Sequence, residues 1–117
     1  MKQYPDLTLR ECIYRSSLLS FLIGTGIHVD PEVHSRRGRA DMVVTCEEHD
    51  WVIEIKVAET TGDVDRQADA ALRQIHERGY AEGCVNPILL GIAIDDSKRA
   101  IGGYRVEILQ TREDPSS

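Results

Sequence analysis

The segment PILLGIAI, residues 87–94, is an almost unbroken run of apolar residues. Its length suits a strand, and a strand that is apolar at every position has to be covered on both faces. Such a strand lies in the middle of a sheet that carries a layer of helices on each side. The run therefore predicts the central strand of an α/β fold.

Two segments have the apolar periodicity of amphipathic helices. From Leu7 to about Gly24, and again from Val64 to Tyr80, apolar residues recur at helical spacing. Two adjacent glycines, Gly102 and Gly103, indicate that the last strand is bulged. The remaining extended segments lie at residues 27–33, 39–46, 51–57 and 100–109. The predicted order is helix, three strands, helix, two strands, which is an α/β sandwich with a mixed sheet.

Length and composition restrict the class of protein. With 117 residues, 41% of them apolar and 29% charged, the chain suits one soluble globular domain. We expect that domain to span residues 1–112, followed by a flexible tail at 113–117. No apolar run reaches the ~18 residues of a membrane helix, and the N-terminus has no signal-peptide pattern. Three scattered cysteines, Cys12, Cys46 and Cys84, indicate reduced thiols and a cytoplasmic location.

The net charge of −6 argues against a protein that binds nucleic acid through overall positive charge. One dense basic cluster, formed by Arg36, Arg37 and Arg39, lies directly before Asp41. Three arginines in a loop are compatible with a solvated turn. Their position beside acidic residues also makes them candidate contacts to a phosphate backbone.

The stretch GRADMVVTCEEHDWVIEIK, residues 38–56, has the pattern of two apolar strands joined by a polar turn. If residues 47–50 form a four-residue hairpin loop, residue 43 lies opposite residue 54 and residue 41 lies opposite residue 56. Side chains alternate between the faces of a sheet, so Asp41, Val43, Glu54 and Lys56 would share one face. Asp41 and Glu54 would then be diagonal neighbours, with Cβ atoms roughly 7–8 Å apart or less.

Two carboxylates at that spacing could bind one divalent ion, such as Mg²⁺ with its short bonds to oxygen. Such an ion polarises a phosphate and activates water, and a neighbouring lysine can orient the water or stabilise negative charge. Asp41, Glu54 and Lys56 therefore suit phosphodiester hydrolysis. The bland alternative is that Glu54 and Lys56 are solvent-facing polar residues, with Asp41 as a cross-strand partner of Lys56. The other face, which carries Trp51, Ile53, Ile55 and Val57, should pack on a helix.

GRADMVV followed by WVIEIKV resembles the motif of the PD-(D/E)XK nuclease superfamily. More closely, the chain resembles the PD-(D/E)XK domain at the C-terminus of predicted AAA-ATPase-like proteins. The segments ECIYRSSLLSFLIGTG, ALRQIHERGYAEG and ILLGIAIDDSKRAIGGYRVE are similar to that family's first helix, second helix and closing hairpin. The resemblance implies a restriction-endonuclease-like αβββαβ core with a mixed central sheet flanked by helices.

The resemblance also implies roles for matching residues. Asp41 and Glu54 would be ligands of Mg²⁺ or Mn²⁺, Lys56 the catalytic lysine, and Glu11 a third acidic metal ligand. Glu11 shares a helix face with Tyr14 and Leu18, but it also suits a glutamate favoured by the helix dipole. Glu32, from the first strand, is the alternative candidate for this acidic ligand.

Two residues of the second helix complete the set of candidates. Gln74 lies beside the apolar stripe and could reach the phosphate or the attacking water. A polar residue at the border of a helix face is the alternative. Tyr80 ends the helix, where a packing role is expected.

A metal-dependent nuclease is the function these patterns favour, with DNA preferred over RNA as substrate. The alternative functions are a non-catalytic nucleic-acid- or protein-binding module on the same fold, and an enzyme acting on another phosphate-containing substrate. No P-loop motif is present, so an ATPase-like region would belong to another protein or to another part of a longer chain. A homodimer is plausible because cleavage of a duplex needs two active sites.

Overall fold

The computed structural model describes residues 6–26, 28–30, 34–35, 38–39 and 42–109, with side chains in 10–26 and 42–109. These residues form two α-helices, α1 (Asp6–Gly24) and α2 (Val64–Arg78), and seven strands. Five strands lie between α1 and α2 in the sequence, and two follow α2. The strands are β1 (His28–Asp30), β2 (His34–Ser35), β3 (Gly38–Arg39), β4 (Met42–Cys46), β5 (His49–Ala58), β6 (Ile88–Asp95) and β7 (Ala100–Ile108).

The main sheet has five strands in the order β1-β4-β5-β6-β7. Strands β5 and β6 pair in parallel, joined by the crossover through α2, and the other neighbours pair antiparallel. Strands β2 and β3 form a separate two-stranded sheet. The predicted αβββαβ core with a mixed sheet is confirmed, and β7 adds an antiparallel strand at one edge.

The predicted loop between β4 and β5 is wrong by two residues. The turn consists of Glu47 and Glu48 alone, both with positive φ, and Cys46 pairs with His49. Positive φ at both central positions gives a tight turn whose twist matches the flanking strands. As a result, Val43 lies opposite Val52 instead of residue 54. A shift of two residues preserves the alternation of faces, so the predicted sharing of a face by Val43 and Glu54 is confirmed.

The helices cover opposite faces of the sheet. On one face, α1 packs through Tyr14, Leu18, Leu19 and Leu22 against a cluster from β4, β5 and β6 that includes Ile53 and Ile55. The helix that Trp51, Ile53, Ile55 and Val57 were expected to contact is therefore α1. On the other face, Val43, Val52 and Leu89 pack against Ile75 of α2 and Tyr80. Strand β6 is buried along nearly its whole length, as its apolar run predicts.

Small residues let α2 approach the sheet closely. A Cβ atom on Gly91 of β6 would lie 2.7 Å from the backbone nitrogen of Leu72 and 3.0 Å from the backbone oxygen of Ala68. Ala68 and Ala71 are fully buried. In β7 the pairing shifts beside Gly102, which confirms the predicted bulge. Gly91 thus sets the depth at which α2 lies over β5 and β6.

Within the described residues, neither helix is both long enough and apolar enough to cross a bilayer. The proposed tail at 113–117 lies outside these residues, and so does the domain boundary at residue 112.

Candidate active site

The side chain of Glu54 lies in the layer between the sheet and α2. Glu54 belongs to β5, is only 5% exposed, and shares its face with Val52. The amide nitrogen Nε2 of Gln74, on α2, donates a hydrogen bond of 2.8 Å to Oε2 of Glu54. A buried carboxylate needs compensating polar contacts, and Gln74 supplies one. The sequence analysis expected Gln74 to reach the phosphate or the attacking water and did not predict this contact with Glu54.

Tyr80 extends this polar contact. Helix α2 ends at Gly79, which adopts the left-handed conformation and redirects the chain so that Tyr80 folds back under the helix. The ring is buried with Val43 and Ile75, as expected of a packing residue. In addition, its hydroxyl accepts a hydrogen bond of 3.3 Å from Nε2 of Gln74. Tyr80 therefore fixes the orientation of the amide that contacts Glu54, a role that its position in the sequence did not reveal.

Lys56 follows Glu54 by two positions on β5 and therefore points to the same face of the sheet. It pairs with Ala93 of β6 and is half-buried. Two positions along a strand separate the Cα atoms of Glu54 and Lys56 by roughly 6.5–7 Å. A carboxylate and an amine are thus neighbours on the surface that α2 partly covers.

An open groove of about 540 Å³ lies at the carboxyl end of β5. Its lining includes Val57, Glu59, Thr60, Asp63, Arg66 and Gln67. Asp63 precedes α2 and accepts hydrogen bonds from Arg66 and from Gln67, at 3.2 Å for the latter. Both hydrogen bonds lower the pKa of Asp63, and the one from Gln67 has the larger effect. The groove is solvent-accessible, and most of the side chains that line it are polar.

Several predicted site residues fall outside the part of the chain that the structure describes: Asp41, Glu32, Arg36 and Arg37. For Arg39 the backbone is described as part of β3. Within the described residues there is no group of three or more His, Cys, Asp or Glu side chains that could hold a metal ion.

Glu11 lies on α1 and is half-buried. The stripe that it shares with Tyr14 and Leu18 does pack on the sheet, as the prediction required. However, α1 covers the face opposite to α2, so Glu11 and Gln74 approach the sheet from opposite sides.

Two aspartates at the end of β6 hold the elements around the site, and the sequence analysis did not select them. Asp95 is 2% exposed and accepts hydrogen bonds from Ser97 Oγ at 2.5 Å and Thr61 Oγ1 at 2.6 Å. These hydrogen bonds lower the pKa of Asp95, and the one from Ser97 has the larger effect. The spacing Asp-x-Ser after a buried strand is the sequence signal that could have indicated this turn.

The neighbouring aspartate, Asp96, anchors α1. Arg10 Nη1 and the Tyr14 hydroxyl each donate a hydrogen bond of 2.6 Å to its carboxylate. The hydrogen bond to Asp96 raises the pKa of Tyr14. The backbone nitrogen of Asp96 also donates to the carbonyl of Ala58, at the end of β5. The carboxyl ends of β5 and β6 are thereby tied to each other and to α1.

Comparison with known proteins agrees with this architecture. The model of the PD-(D/E)XK nuclease superfamily matches residues 9–103. The chain is also 34% identical over 103 residues to a protein of Azotobacter chroococcum mcd 1 named "Uncharacterized protein in vnfD 5'region". That match covers 85% of this chain but 19% of the relative, so the chain spans about a fifth of the relative's length. No solved structure matches the chain.

Proposed function

Because the chain belongs to the PD-(D/E)XK nuclease superfamily, we propose that it is a metal-dependent nuclease that hydrolyses phosphodiester bonds, with DNA as the preferred substrate. The observation that carries this proposal is the buried contact between Glu54 and Gln74, whose atoms Oε2 and Nε2 are 2.8 Å apart. A solvent-facing polar residue on a strand would not be covered by a helix and held by its amide. Burial of an acidic residue is costly for stability, which favours a functional reason for keeping it.

The donor chemistry of this site fits a hard cation. Carboxylate oxygens are preferred ligands of Mg²⁺, and a carboxylate has about four lone-pair sites. A carboxylate can bind a cation while one of its oxygens accepts a hydrogen bond, as Oε2 of Glu54 does from Gln74. We assign the metal to Asp41 and Glu54, with Glu32 as a further acidic ligand, because Glu11 lies on α1, which covers the opposite face of the sheet. Asp41 precedes Met42, and Met42 pairs with Ile53, the neighbour of Glu54. When bound, Mg²⁺ or Mn²⁺ would supply Lewis-acid activation of the phosphate and of water.

The other residues of the chain would bind and orient the substrate. Lys56, on the same face as Glu54, would stabilise the negative charge that develops on the phosphate. Gln74, held by Tyr80, would keep the Glu54 carboxylate in one orientation. Arg36, Arg37 and Arg39 would contact the backbone of the nucleic acid.

We further propose that the domain acts beside an ATPase-like region and in the cytoplasm. The relative from Azotobacter is about five times longer than the matched segment, which leaves room for such a region in a longer chain. All three cysteines are free thiols, in keeping with a reducing compartment.

Incubation of the protein with supercoiled plasmid and Mn²⁺ tests the proposed activity. We expect nicking by the wild type, and a loss of about 10²–10³-fold in Lys56→Ala, the effect of removing one charge-stabilising group. Lys98→Ala, in the exposed turn between β6 and β7, is the matched control and should cut like the wild type. Equal activity in Lys56→Ala and Lys98→Ala would refute the assigned role.

Calorimetric titration with Mn²⁺ tests the metal site separately. Binding should disappear in Asp41→Ala and Glu54→Ala and persist in Glu77→Ala, which removes an exposed carboxylate from α2. Retention of Mn²⁺ binding in the first two variants would contradict the assigned ligands. Retarded migration of DNA without any cleavage would instead support the non-catalytic binding module.

A further inference from the structure

The face of the sheet that carries α1 is only partly covered. Helix α1 packs against residues of β4, β5 and β6, and within the described residues no helix lies over the outer strand β7 on this face. Four alternate side chains of β7 on this face are 46–63% exposed: Ile101, Tyr104, Val106 and Ile108. The first three border an open groove of about 370 Å³ whose lining also includes Trp51, Leu90 and Ile92.

The pattern along β7 is the inverse of that expected for a strand facing water. An edge strand with one solvated face normally places its polar residues on that face. Here the polar residues point to the α2 side. Arg105 Nε donates a hydrogen bond of 2.8 Å to Asp69 Oδ1, and Glu107 Oε1 lies 2.8 Å from His76 Nε2. The apolar residues point to the open side. An apolar patch with this placement marks an interaction surface.

Helix α1 carries a second set of exposed apolar residues. Ile13, Phe21 and Ile23 are 55–67% exposed, while the side chains that contact the sheet are Tyr14, Leu18, Leu19 and Leu22. A helix with apolar residues on several sides is usually buried on several sides.

We propose that a second copy of this chain covers the open face. In this arrangement a two-fold axis brings α1 of each copy onto β6 and β7 of its partner, so that two helices lie between two sheets. Such a contact is isologous, and each copy contributes both the helix and the groove. Pairing of the β7 edges is disfavoured because the bulge at Gly102 distorts the end of that edge.

The available area agrees with a stable dimer. The seven exposed apolar residues of β7 and α1 together offer the surface of about four fully exposed large side chains. At roughly 200 Å² each, they provide on the order of 800 Å² per copy. A standard protein–protein interface buries about 800 Å² per partner. A second copy can therefore bury a standard interface without any rearrangement of the sheet.

Sedimentation velocity tests the proposal with two substitutions of identical chemistry. Val106→Lys introduces a charge into the patch, whereas Val85→Lys introduces it at an apolar position that is 61% exposed in a turn. We expect a dimer for the wild type between about 1 and 100 μM, the range that covers weak interfaces of this size. Because a two-fold axis doubles each change, Val106→Lys should weaken association by at least about 100-fold. Phe21→Lys should do the same from the helix side, and Val85→Lys should remain dimeric.

Trp51, the only tryptophan of the chain, provides a second readout at the groove. Its emission should shift to shorter wavelength as wild-type dimers form and should not depend on concentration in Val106→Lys. Circular dichroism verifies that each variant is folded. A wild-type monomer throughout this range would overturn the proposal and point to another occupant, such as a different part of a longer polypeptide. A dimer that survives both Val106→Lys and Phe21→Lys would also overturn it.

Discussion

Gly91→Ala tests the close packing that brings α2 down onto the site. The added methyl group would lie 2.7 Å from the backbone nitrogen of Leu72 and 3.0 Å from both the Ala68 carbonyl oxygen and the Ala71 Cβ atom. Two of these atoms belong to the helix backbone, so no side-chain rotation can relieve the contact. The helix as a whole has to move away from β6.

The cost can be estimated from opposing terms. Overpacking a core costs 1–3 kcal/mol, and a clash with helix backbone falls at the upper end, about 3 kcal/mol. Replacing glycine by alanine in a strand returns about 0.5–1 kcal/mol through the lower entropy of the unfolded chain. The net loss in the free energy of unfolding is therefore about 2 kcal/mol. For a chain of this length, it corresponds to a decrease in Tm of roughly 6–10 °C.

Urea unfolding followed by circular dichroism measures this difference. We expect the midpoint of Gly91→Ala to fall by about 1 M urea. Gly62→Ala is the control, because a Cβ atom at Gly62 would have no heavy atom within 4 Å. Its stability should stay within about 0.5 kcal/mol of the wild type. If Gly91→Ala and Gly62→Ala unfold at the same urea concentration, α2 does not lie as close to β6 as the structure indicates.

Two other substitutions test the polar contacts. Gln74→Leu keeps the volume of the side chain but removes the hydrogen bond to Glu54. The free energy of unfolding should therefore fall by about 2 kcal/mol, and Mn²⁺ binding should weaken. Unchanged urea unfolding and an unchanged Mn²⁺ titration would contradict this. Asp95→Asn tests how stability depends on pH. Hydrogen bonds from Ser97 and Thr61 lower the pKa of Asp95 in the folded protein. Its charge therefore stabilises the fold above roughly pH 4, and this contribution is lost as the pH falls. Thermal unfolding between roughly pH 2 and 7 should show that Asp95→Asn loses less stability than the wild type as the pH falls. An identical pH profile of the two proteins would refute the assignment.

The sequence was sufficient for the elements whose periodicity is strong. The continuous apolar run of β6 predicted a strand buried on both faces, and it is buried on both. Alternation along β5 predicted which side chains share a face with Glu54, because a period of two survives a change in loop length whenever the change is even.

The loop length itself was not predictable from local signals. Two-residue turns with positive φ usually contain Asn or Gly, whereas here Glu47 and Glu48 adopt φ values of 51° and 71°. Four consecutive polar residues gave no reason to choose two over four. The pairing of β5 with β6 and of β4 with β1 determines the register, and these contacts are made by residues distant in the sequence.

The contact between Gln74 and Glu54 was not predictable from the sequence. Helical spacing places Gln74 at the border of the apolar stripe, but its reach depends on how deeply α2 packs. That depth depends on Gly91, which the sequence presents only as an interruption in an apolar strand. The role of Tyr80 depends in turn on Gly79, whose left-handed conformation directs the ring beneath the helix.

Alternation in β5 and β7 separates the two proposed activities of this domain. Glu54 and Lys56 point to the α2 side, while the apolar residues of β7 lie on the α1 side. No side chain can serve both faces, because neighbouring positions on a strand point in opposite directions. Lys56→Ala should therefore leave sedimentation unchanged, and Val106→Lys should leave Mn²⁺ binding unchanged. A single substitution that abolished both would refute this separation.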